Sequence, residues 1–364
     1  MTPFVYAQLP SKVLFGPGTR SRVLDEVMAL GRERVMLIGS GSAASTATEA
    51  ELSAMLADRL ALYWTEVVQH VPDELAERAR EAAIDSDIDC ILTVGGGSST
   101  GLAKAIALTS RRPIIAIPTT YAGSEQTTIY GITGERHKQT GKSADVLPKV
   151  VIYDPELTVG IPASVTGPSA FNALAHSVEA LYAPGNNPIT TAMALEGIRA
   201  IHRSLATVMQ RPSDVEARGD LLYGAYLSGV ALGQTSAAFH HKICHVLGGT
   251  FNLVHADAHS VILPHAIAFL APALPTEMAL LADALGGEPA GALFDLAVAS
   301  NVPTSLAALG LAESDLLEAA ERSVAEIAKI AAPGNPRPCS LDDMLTLLHN
   351  AHAGVRPTVE SSPR

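Results

Sequence analysis

The stretch CILTVGGGSSTGLAKAIALTS, residues 90–110, decides the fold class. It starts with a short apolar run typical of a buried strand, passes through three consecutive glycines, and continues as a helical pattern. Glycine lets the backbone approach a ligand closely, and the free amides and dipole of a helix N-terminus attract phosphate. The pattern therefore predicts a strand, a pyrophosphate-binding loop and a helix, although an ordinary tight turn would also use glycine.

Strand and helix patterns alternate on both sides of this stretch. The predicted strands are VMLIG (35–39), ALYWTEV (61–67), PIIAIPTT (113–120) and VVIYDPEL (150–157), and the predicted helices are TEAELSAMLADRL and DELAERAREAAIDS. Such alternation implies a parallel sheet with helices on both faces. We expect residues 1–158 to form an α/β nucleotide-binding domain.

Beyond Pro162 the strand patterns give way to long helical segments rich in alanine and leucine. These segments are SAFNALAHSVEALYA, PITTAMALEGIRAIHRSL and DVEARGDLLYGAYLSGVALG. We expect an all-α catalytic domain over residues 159–352 and a loose C-terminal tail over 353–364.

Composition restricts the possible functions. A chain of 364 residues suits two domains. A net charge of −12 disfavours nucleic acid as a partner and requires any anion site to be locally positive. No apolar run is long enough for a membrane span, the N-terminus lacks the order of a secretory signal, and three widely spaced cysteines argue for a reducing compartment. These features predict a cytoplasmic protein that does not associate with membranes.

A second glycine pattern, GSGSAA over residues 39–44, follows the first predicted strand. It fits GxGxxA, which is short and common. The acidic residue expected about twenty positions further on, to bind a ribose 2′-hydroxyl, is not clearly placed, because Glu66 lies a little far. The sequence thus predicts a dinucleotide cofactor without deciding between NAD and NADP.

Six of the twelve histidines lie in HHKICHVLGGTFNLVHADAHSVILPH, residues 240–265. If HHKICHVLGG is helical, His241 and His245 share one face, and Gly248-Gly249 ends the helix. Asn172 and His176 show the same four-residue spacing upstream. We expect these four residues to share a site.

His255 belongs to the same predicted site and follows in a loop-like segment, LVHADAH. His240, His259 and His265 show no such spacing, and we expect them to be structural or on the surface. Two interpretations of the shared site compete: metal ligands, or a metal-free acid, base and anion site.

Together the motifs resemble the iron-containing alcohol dehydrogenase family of the dehydroquinate synthase-like superfamily. The resemblance runs from about Phe15 to His352 and is carried, in order, by GGGSSTGLAK, IPTTYAGSE, YDPEL, NALAHSVEALY and HHKICHVLGGTFNLVHADAHSVILPH. It implies an active site in a cleft between an N-terminal nucleotide-binding domain and a C-terminal helical domain. In metal-dependent members an aspartate and three histidines bind Fe(II) or Zn(II), and the matching positions here are Asn172, His176, His241 and His255.

Asn172 departs from the DxxxH pattern of the family. An amide is a poorer ligand than a carboxylate, and even the loss of a second-shell partner weakens metal binding by roughly 10–100-fold. We therefore expect a metal-free imidazole cluster that binds protons and carboxylates. Gly101 stands where many members have an aspartate, and Gly39-Ser40 offers no aspartate against a 2′-phosphate. We expect NADH as cofactor, NADPH tolerated, and no metal.

PTTYAGSE, NALAHSVEALYA and HHKICHVLGGTFNLVHA resemble the branch of this family that reduces maleylacetate. The resemblance implies that a homodimer reduces the conjugated carbon–carbon double bond of this small dianionic substrate with NAD(P)H. The product is 3-oxoadipate, in the catabolism of hydroxylated aromatic compounds. Three alternatives stay open: an Fe- or Zn-dependent alcohol or glycerol dehydrogenase, a lyase related to dehydroquinate synthase, and a non-enzymatic nucleotide- or metal-binding protein.

The expected roles follow from this resemblance. His241 and His245 lie nearest the chemistry, one donating to the developing oxyanion and the other acting as general acid. His176 and His255 hold a substrate carboxylate or complete the cluster, and Asn172 donates through its amide. Lys142 matches a family lysine position, or is a solvated loop residue. The expected cofactor-binding residues are Gly39, Ser40, Gly95, Gly96, Gly97, Ser98, Thr119, Thr120 and Ser124.

Overall fold

The computed structural model describes residues 4–7, 9–41, 45–134, 138–330 and 333–358. Contacts divide the chain into two compact units, which we call the sheet unit and the helical unit. The sheet unit comprises Gln8–Ile161 and Ser213–Leu222, and the helical unit comprises Met1–Ala7, Pro162–Pro212 and Tyr223–Arg364.

The sheet unit contains a parallel sheet of six strands and a separate antiparallel hairpin. The strands are β1 Lys12–Phe15, β2 Val35–Ile38, β3 Leu60–Trp64, β4 Cys90–Gly95, β5 Ile114–Pro118, β6 Ile129–Thr133, β7 Lys138–Lys142 and β8 Val150–Tyr153. The order in the large sheet is β1-β8-β5-β4-β2-β3, and β6 pairs with β7. Every residue of β2, β4, β5 and β8 is buried, which requires cover on both faces of the sheet.

Four helices accompany these strands: α1 Val23–Ala29, α2 Thr46–Leu56, α3 Asp73–Asp85 and α4 Gly97–Ser110. Val23 and Val27 of α1 and Leu52 of α2 belong to the same buried cluster as Leu37 of β2 and Leu92 of β4. Loss of water contact by this apolar surface is the main force holding the sheet and helices together.

Most of the helical unit comes after the sheet unit in the sequence. Its helices are α5 Ala163–Ala180, α6 Pro188–Gln210, α7 Val215–Gln234, α8 Phe239–Phe251, α9 His255–Leu270, α10 Pro275–Leu285, α11 Pro289–Ala299, α12 Leu316–Ile327 and α13 Leu341–Ala353, with the first residues of α7 grouped with the sheet unit. Among the described residues after Tyr153, none lies in a strand. The predicted fold class, a parallel α/β domain followed by an all-α domain, is confirmed.

Two details of the sequence prediction are wrong. Helix α8 does not end at Gly248-Gly249 but continues to Phe251, where Asn252 adopts a left-handed conformation with φ 55°. A glycine inside a helix costs only about 1 kcal/mol, and asparagine can also end a helix. His255 does not lie in a loop, because it is the first residue of α9.

No helix in the described part of the chain is long and apolar enough to cross a membrane.

Candidate active site and metal centre

Three loops meet at the carboxyl ends of β2, β4 and β5, which are neighbours in the sheet. The amide of Thr119 donates to the carbonyl of Gly95 at 2.9 Å and joins the loops after β5 and β4. A Cβ on Gly95 would lie 4.0 Å from Cβ of Ser40, so the loop after β2 is adjacent too. Nucleotides bind at this edge of parallel sheets, and the expected cofactor residues therefore lie together.

Two glycines of the loop after β4, Gly95 and Gly96, leave little room for larger residues. Gly95 has φ +146°, and a Cβ there would lie 2.3 Å from Oγ of Ser99. A Cβ on Gly96 would lie 3.0 Å from Cγ2 of Thr120. Gly96 is the N-cap of α4, and among the described residues no side chain caps that end of the helix. Gly97 and Ser98 are the first two residues of α4. The first-turn amides suit an anion such as pyrophosphate.

In the loop after β2, a carboxylate of the protein itself accepts the backbone hydrogen bonds. The carboxylate of Glu49 on α2 accepts hydrogen bonds from the amides of Ser40 at 2.9 Å and Gly41 at 3.3 Å, and from the Tyr63 hydroxyl. A Cβ on Gly39 would lie 2.4 Å from this carboxylate, which explains the glycine. The position of Glu49 matches no pattern in the sequence, because the acid of a dinucleotide-binding motif is expected about twenty positions after the loop.

The remainder of the GSGSAA pattern, Ser42–Ala44, lies outside the described residues. Glu66, the acid that the spacing suggested, is exposed and pairs with Arg78 at 2.5 Å. Its carboxylate is therefore already neutralised by a neighbouring side chain.

Lys104 on α4 fixes the loop that contains Ser124. It is fully buried, and its Nζ donates to the carbonyls of Ser124 at 2.6 Å, Thr127 at 2.8 Å and Ile129 at 2.8 Å. Burial lowers the pKa of Lys104 to about 7, and the negative charge of Glu125 opposes this shift. The lysine holds the segment after β5 against the helix that begins at the glycine loop.

Gly101 and Lys142, which the family resemblance singled out, both lie in the sheet unit. Gly101 packs closely against Val71, because a Cβ there would lie 2.9 Å from Cγ2 of Val71. An aspartate at this position would displace Val71. Lys142 is an exposed residue at the end of β7, in the hairpin rather than in an irregular loop.

In the helical unit, α5, α8 and α9 bring the predicted histidines together. The rings of His176 and His241 stack with centroids 4.7 Å apart, and those of His245 and His255 stack at 5.5 Å. His241 and His245, one turn apart on α8, have centroids 6.2 Å apart. Asn172 lies one turn before His176 on α5. Four imidazoles and one amide thus share one side-chain cluster.

The cluster runs from solvent into the interior. His245 is exposed and His255 is half-buried, whereas His176 and His241 are 7% and 3% exposed. Burial first, and the nearby charge of His241 second, lower the pKa of His176 well below its ordinary value. The buried imidazole of His176 is therefore neutral, which is the form that ligates metals.

Glu179, which is not among the predicted site residues, lies at the centre of this cluster. Its carboxylate is buried, bonds to Nδ1 of His241, and accepts backbone hydrogen bonds from Ala238 and His241 at 3.1 Å each. Burial alone would raise the pKa of Glu179, but the charge and hydrogen bond of His241 outweigh it and lower the pKa to about 2. The spacing His176-x-x-Glu179 on one helix face was the available signal.

His240 and His259, expected to be structural or on the surface, lie beside this cluster. Both are fully buried, and Nε2 of His240 is hydrogen bonded to Nδ1 of His259 at 2.7 Å. Nε2 of His259 is hydrogen bonded to Nε2 of His255 at 3.0 Å. His265 is buried elsewhere on α9, and its Nε2 has no partner among the described residues.

A cavity of about 300 Å³ opens beside His245 between α8 and α12. Two cationic side chains, Arg322 and Lys242, line it. However, Arg322 bonds to Glu318 at 2.7 Å, and Lys242 lies 3.9 Å from Glu326. Because both side chains already have acidic neighbours, the cavity is a poor site for the carboxylates of a substrate.

Comparison with known proteins covers nearly the whole chain. Residues 10–155 match the family model for iron-containing alcohol dehydrogenase, and residues 166–352 match that for the C-terminal part of the Fe-containing alcohol dehydrogenase family. Maleylacetate reductase of Burkholderia cepacia is 46% identical over 98% of this chain and 100% of the relative.

Solved structures of the same family are also similar to this chain. The crystal structure of maleylacetate reductase from Agrobacterium tumefaciens has a TM-score of 0.93 and 42% identity, covering 98% of this chain and 100% of that chain. The iron-containing alcohol dehydrogenase from Corynebacterium glutamicum has a TM-score of 0.93 and 40% identity, covering 99% and 100%.

The expectation that no metal is required is wrong. The family models describe iron-containing enzymes, and His240, Cys244 and His259 offer donor atoms that all lie within 4.8 Å of one another. The expectation rested on the missing carboxylate at Asn172. Glu179 supplies the negative charge instead, one hydrogen bond behind His241.

The side chains around Asn172 fit a metal ion. Oδ1 of Asn172, Nδ1 of His176 and Nε2 of His241 are buried and have no hydrogen-bond partner among the described residues. Buried polar atoms without partners are rare, and they often mark a site for an ion or ligand.

Proposed function

The chain belongs to the iron-containing alcohol dehydrogenase family, and on this premise we propose that it reduces the conjugated carbon–carbon double bond of maleylacetate to give 3-oxoadipate. Its similarity to maleylacetate reductases over almost the full length supports this substrate. The observation in the site that carries the proposal is the imidazole cluster with its buried counter-charge, Glu179. It combines donors for an oxyanion with groups that exchange protons.

The proposed reaction consumes one NADH and one proton per substrate. Conjugation with the ketone makes the alkene electrophilic, so hydride from the nicotinamide adds to the carbon β to the ketone. The electron pair of the double bond moves onto the ketone oxygen and forms an enolate. A proton then adds to the α carbon, and NAD⁺ leaves.

In the sheet unit, we assign cofactor binding to the loops after β2, β4 and β5. The uncapped first turn of α4, with Gly97 and Ser98, suits the pyrophosphate. The built-in carboxylate of Glu49 lies at the loop of Gly39 and Ser40 and disfavours a second negative charge there. This supports NADH over NADPH as the better hydride donor.

In the helical unit, His241 is the imidazole best placed to donate to the enolate oxygen when its Nε2 does not ligate a metal. Glu179 fixes its ring through Nδ1, which leaves Nε2 available for a substrate oxygen or a metal. His245 is exposed and exchanges protons with solvent, so we assign it the general-acid role.

Asn172, His176, His241 and His255 would hold the iron of the family, because three of them present buried atoms without partners. A bound divalent ion would act as a Lewis acid towards a carbonyl oxygen. This chain supplies the buried anion, Glu179, that offsets the charge of such an ion.

The wider context rests on family likeness. We propose a cytoplasmic homodimer that acts in the breakdown of hydroxylated aromatic compounds such as resorcinol or hydroxyquinol. We also propose the division into a nucleotide-binding domain, residues 1–158, a catalytic domain, 159–352, and a tail, 353–364. In the tail, Arg356 pairs with Asp295 at 2.7 Å.

The test is a transfer experiment with NADH that carries deuterium at the reactive position. The proposal predicts NADH oxidation with maleylacetate and a product of the mass of 3-oxoadipate plus one deuterium, located on the carbon β to the ketone. Deuterium on a carbinol carbon would instead identify a carbonyl reductase of the alcohol dehydrogenase type. Turnover without net NADH consumption would favour the lyase.

A further inference from the structure

Three buried side chains form a second donor group behind the site described above. His240 and Cys244 lie one turn apart on α8, and His259 lies on α9. Sγ of Cys244 lies 3.6 Å from Nε2 of His240, which lies 2.7 Å from Nδ1 of His259. All three residues are fully buried. We call this group the thiol–imidazole triad.

The spacing of these atoms suits a tetrahedral cation. Zn–N bonds of about 2.0 Å and Zn–S bonds of about 2.3 Å at tetrahedral angles separate N from S by about 3.5 Å and N from N by about 3.3 Å. The sulfur-to-nitrogen distance of 3.6 Å already matches. The two ring nitrogens, now 2.7 Å apart, would separate by roughly half an ångström on binding.

The charges also suit a cation. His240 and His259 each offer one imidazole nitrogen, and these atoms and Sγ of Cys244 all lie within 4.8 Å of one another. Burial first and Glu179 second raise the pKa of Cys244, and a bound cation reverses this by stabilising the thiolate. A thiolate would offset one of the two charges of a divalent ion, and the Glu179 carboxylate lies close enough to Cys244 to act on it electrostatically.

We propose that His240, Cys244 and His259 bind a divalent cation of the Zn(II) type through two imidazole nitrogens and one thiolate. Thiolate and imidazole select zinc and related ions over magnesium or calcium. These donor atoms differ from those of Asn172, His176, His241 and His255, and the inference does not depend on the substrate proposed above.

Cobalt(II) is the probe that tests the triad. Metal-depleted protein is titrated anaerobically with Co(II), and a cobalt–thiolate charge-transfer band in the near ultraviolet is expected to saturate at one equivalent. Zn(II) is expected to displace Co(II) and remove the band. Cys244→Ser should abolish the band, while Cys90→Ser, which alters a buried thiol of the sheet unit, should retain it.

Absorption without a thiolate band, a band that survives in Cys244→Ser, or no cobalt uptake would overturn the proposal. If Cys244→Ser does not fold, X-ray absorption of the zinc-loaded natural protein decides instead. Sulfur at about 2.3 Å from zinc supports the triad. A shell of nitrogen and oxygen alone excludes it and assigns the ion to the group around His176.

Discussion

Glu179 and His241 form a buried pair in which one carboxylate binds both the backbone amide and Nδ1 of the same histidine. The pair fixes the ring and holds an anion inside an imidazole cluster. Because Glu179 is fully buried, its charge is poorly screened by water and acts strongly on its neighbours. The behaviour of the whole cluster should therefore depend on this one side chain.

Replacing Glu179 by glutamine tests that dependence. Glu179→Gln keeps the size of the side chain and removes its charge, so the ring of His241 loses its charged partner. We expect metal affinity and kcat/KM each to fall by about 10–100-fold. Metal content after dialysis and NADH oxidation are the measurements. Glu318→Gln, at an exposed ion pair on α12, is the control, and equal effects of the two variants would show that Glu179 has no special role.

Asn172→Asp restores the carboxylate of the family pattern. A charged oxygen ligand beside His176 should raise the affinity for divalent ions by about 10-fold or more. Competition with a chelator measures this change. The added negative charge should also raise KM for a dianionic substrate. Asn350→Asp adds the same charge at an exposed position, and if it changes metal affinity equally, the effect is one of net charge rather than ligation.

Gly96→Ala tests the proposed pyrophosphate site. The added methyl group would lie 3.0 Å from Thr120 at the entry to the uncapped first turn of α4. We expect the Kd for NADH to rise about tenfold, which is about 1.4 kcal/mol. Fluorescence titration with NADH provides the value. Gly160→Ala adds a methyl group with nothing within 4 Å and should bind NADH normally, so a shared loss of binding would contradict a local effect.

The sheet was predictable where strands are buried on both faces, because β2, β4, β5 and β8 then appear as continuous apolar runs. Strand β1 at the sheet edge is partly exposed, and β7 has the polar sequence KQTGK, so neither has such a run. Strand β1 pairs with β8, which is distant in the chain, whereas β7 pairs with the neighbouring β6 in a hairpin that its polar sequence does not reveal.

The site shows the same division between local and distant information. Four-residue spacing identified His176 with Asn172 and His241 with His245, because each pair lies on one helix. His240 and His259 come from different helices, and only the packing of α8 on α9 joins them. Glu179 lies three residues after His176 on α5, so helical spacing places it on the same face. It forms no repeated histidine or asparagine pattern that would mark it as a site residue.

Lys104 predicts a specific dependence of stability on pH. Its pKa in the folded protein is about 7, against an ordinary value of 10.5, because burial disfavours the charged form. Between these values the unfolded chain binds more protons than the folded one, so the free energy of unfolding rises with pH, by at most about 1.4 kcal/mol per pH unit. Lys104→Met should remove this slope and, by leaving buried carbonyls without a donor, destabilise the protein by about 1–3 kcal/mol. Denaturant unfolding at pH 7, 8 and 9 measures both effects, with exposed Lys329→Met as the control. An identical slope in the Lys104 variant and the natural protein would show that Lys104 stays charged in the folded state throughout this range.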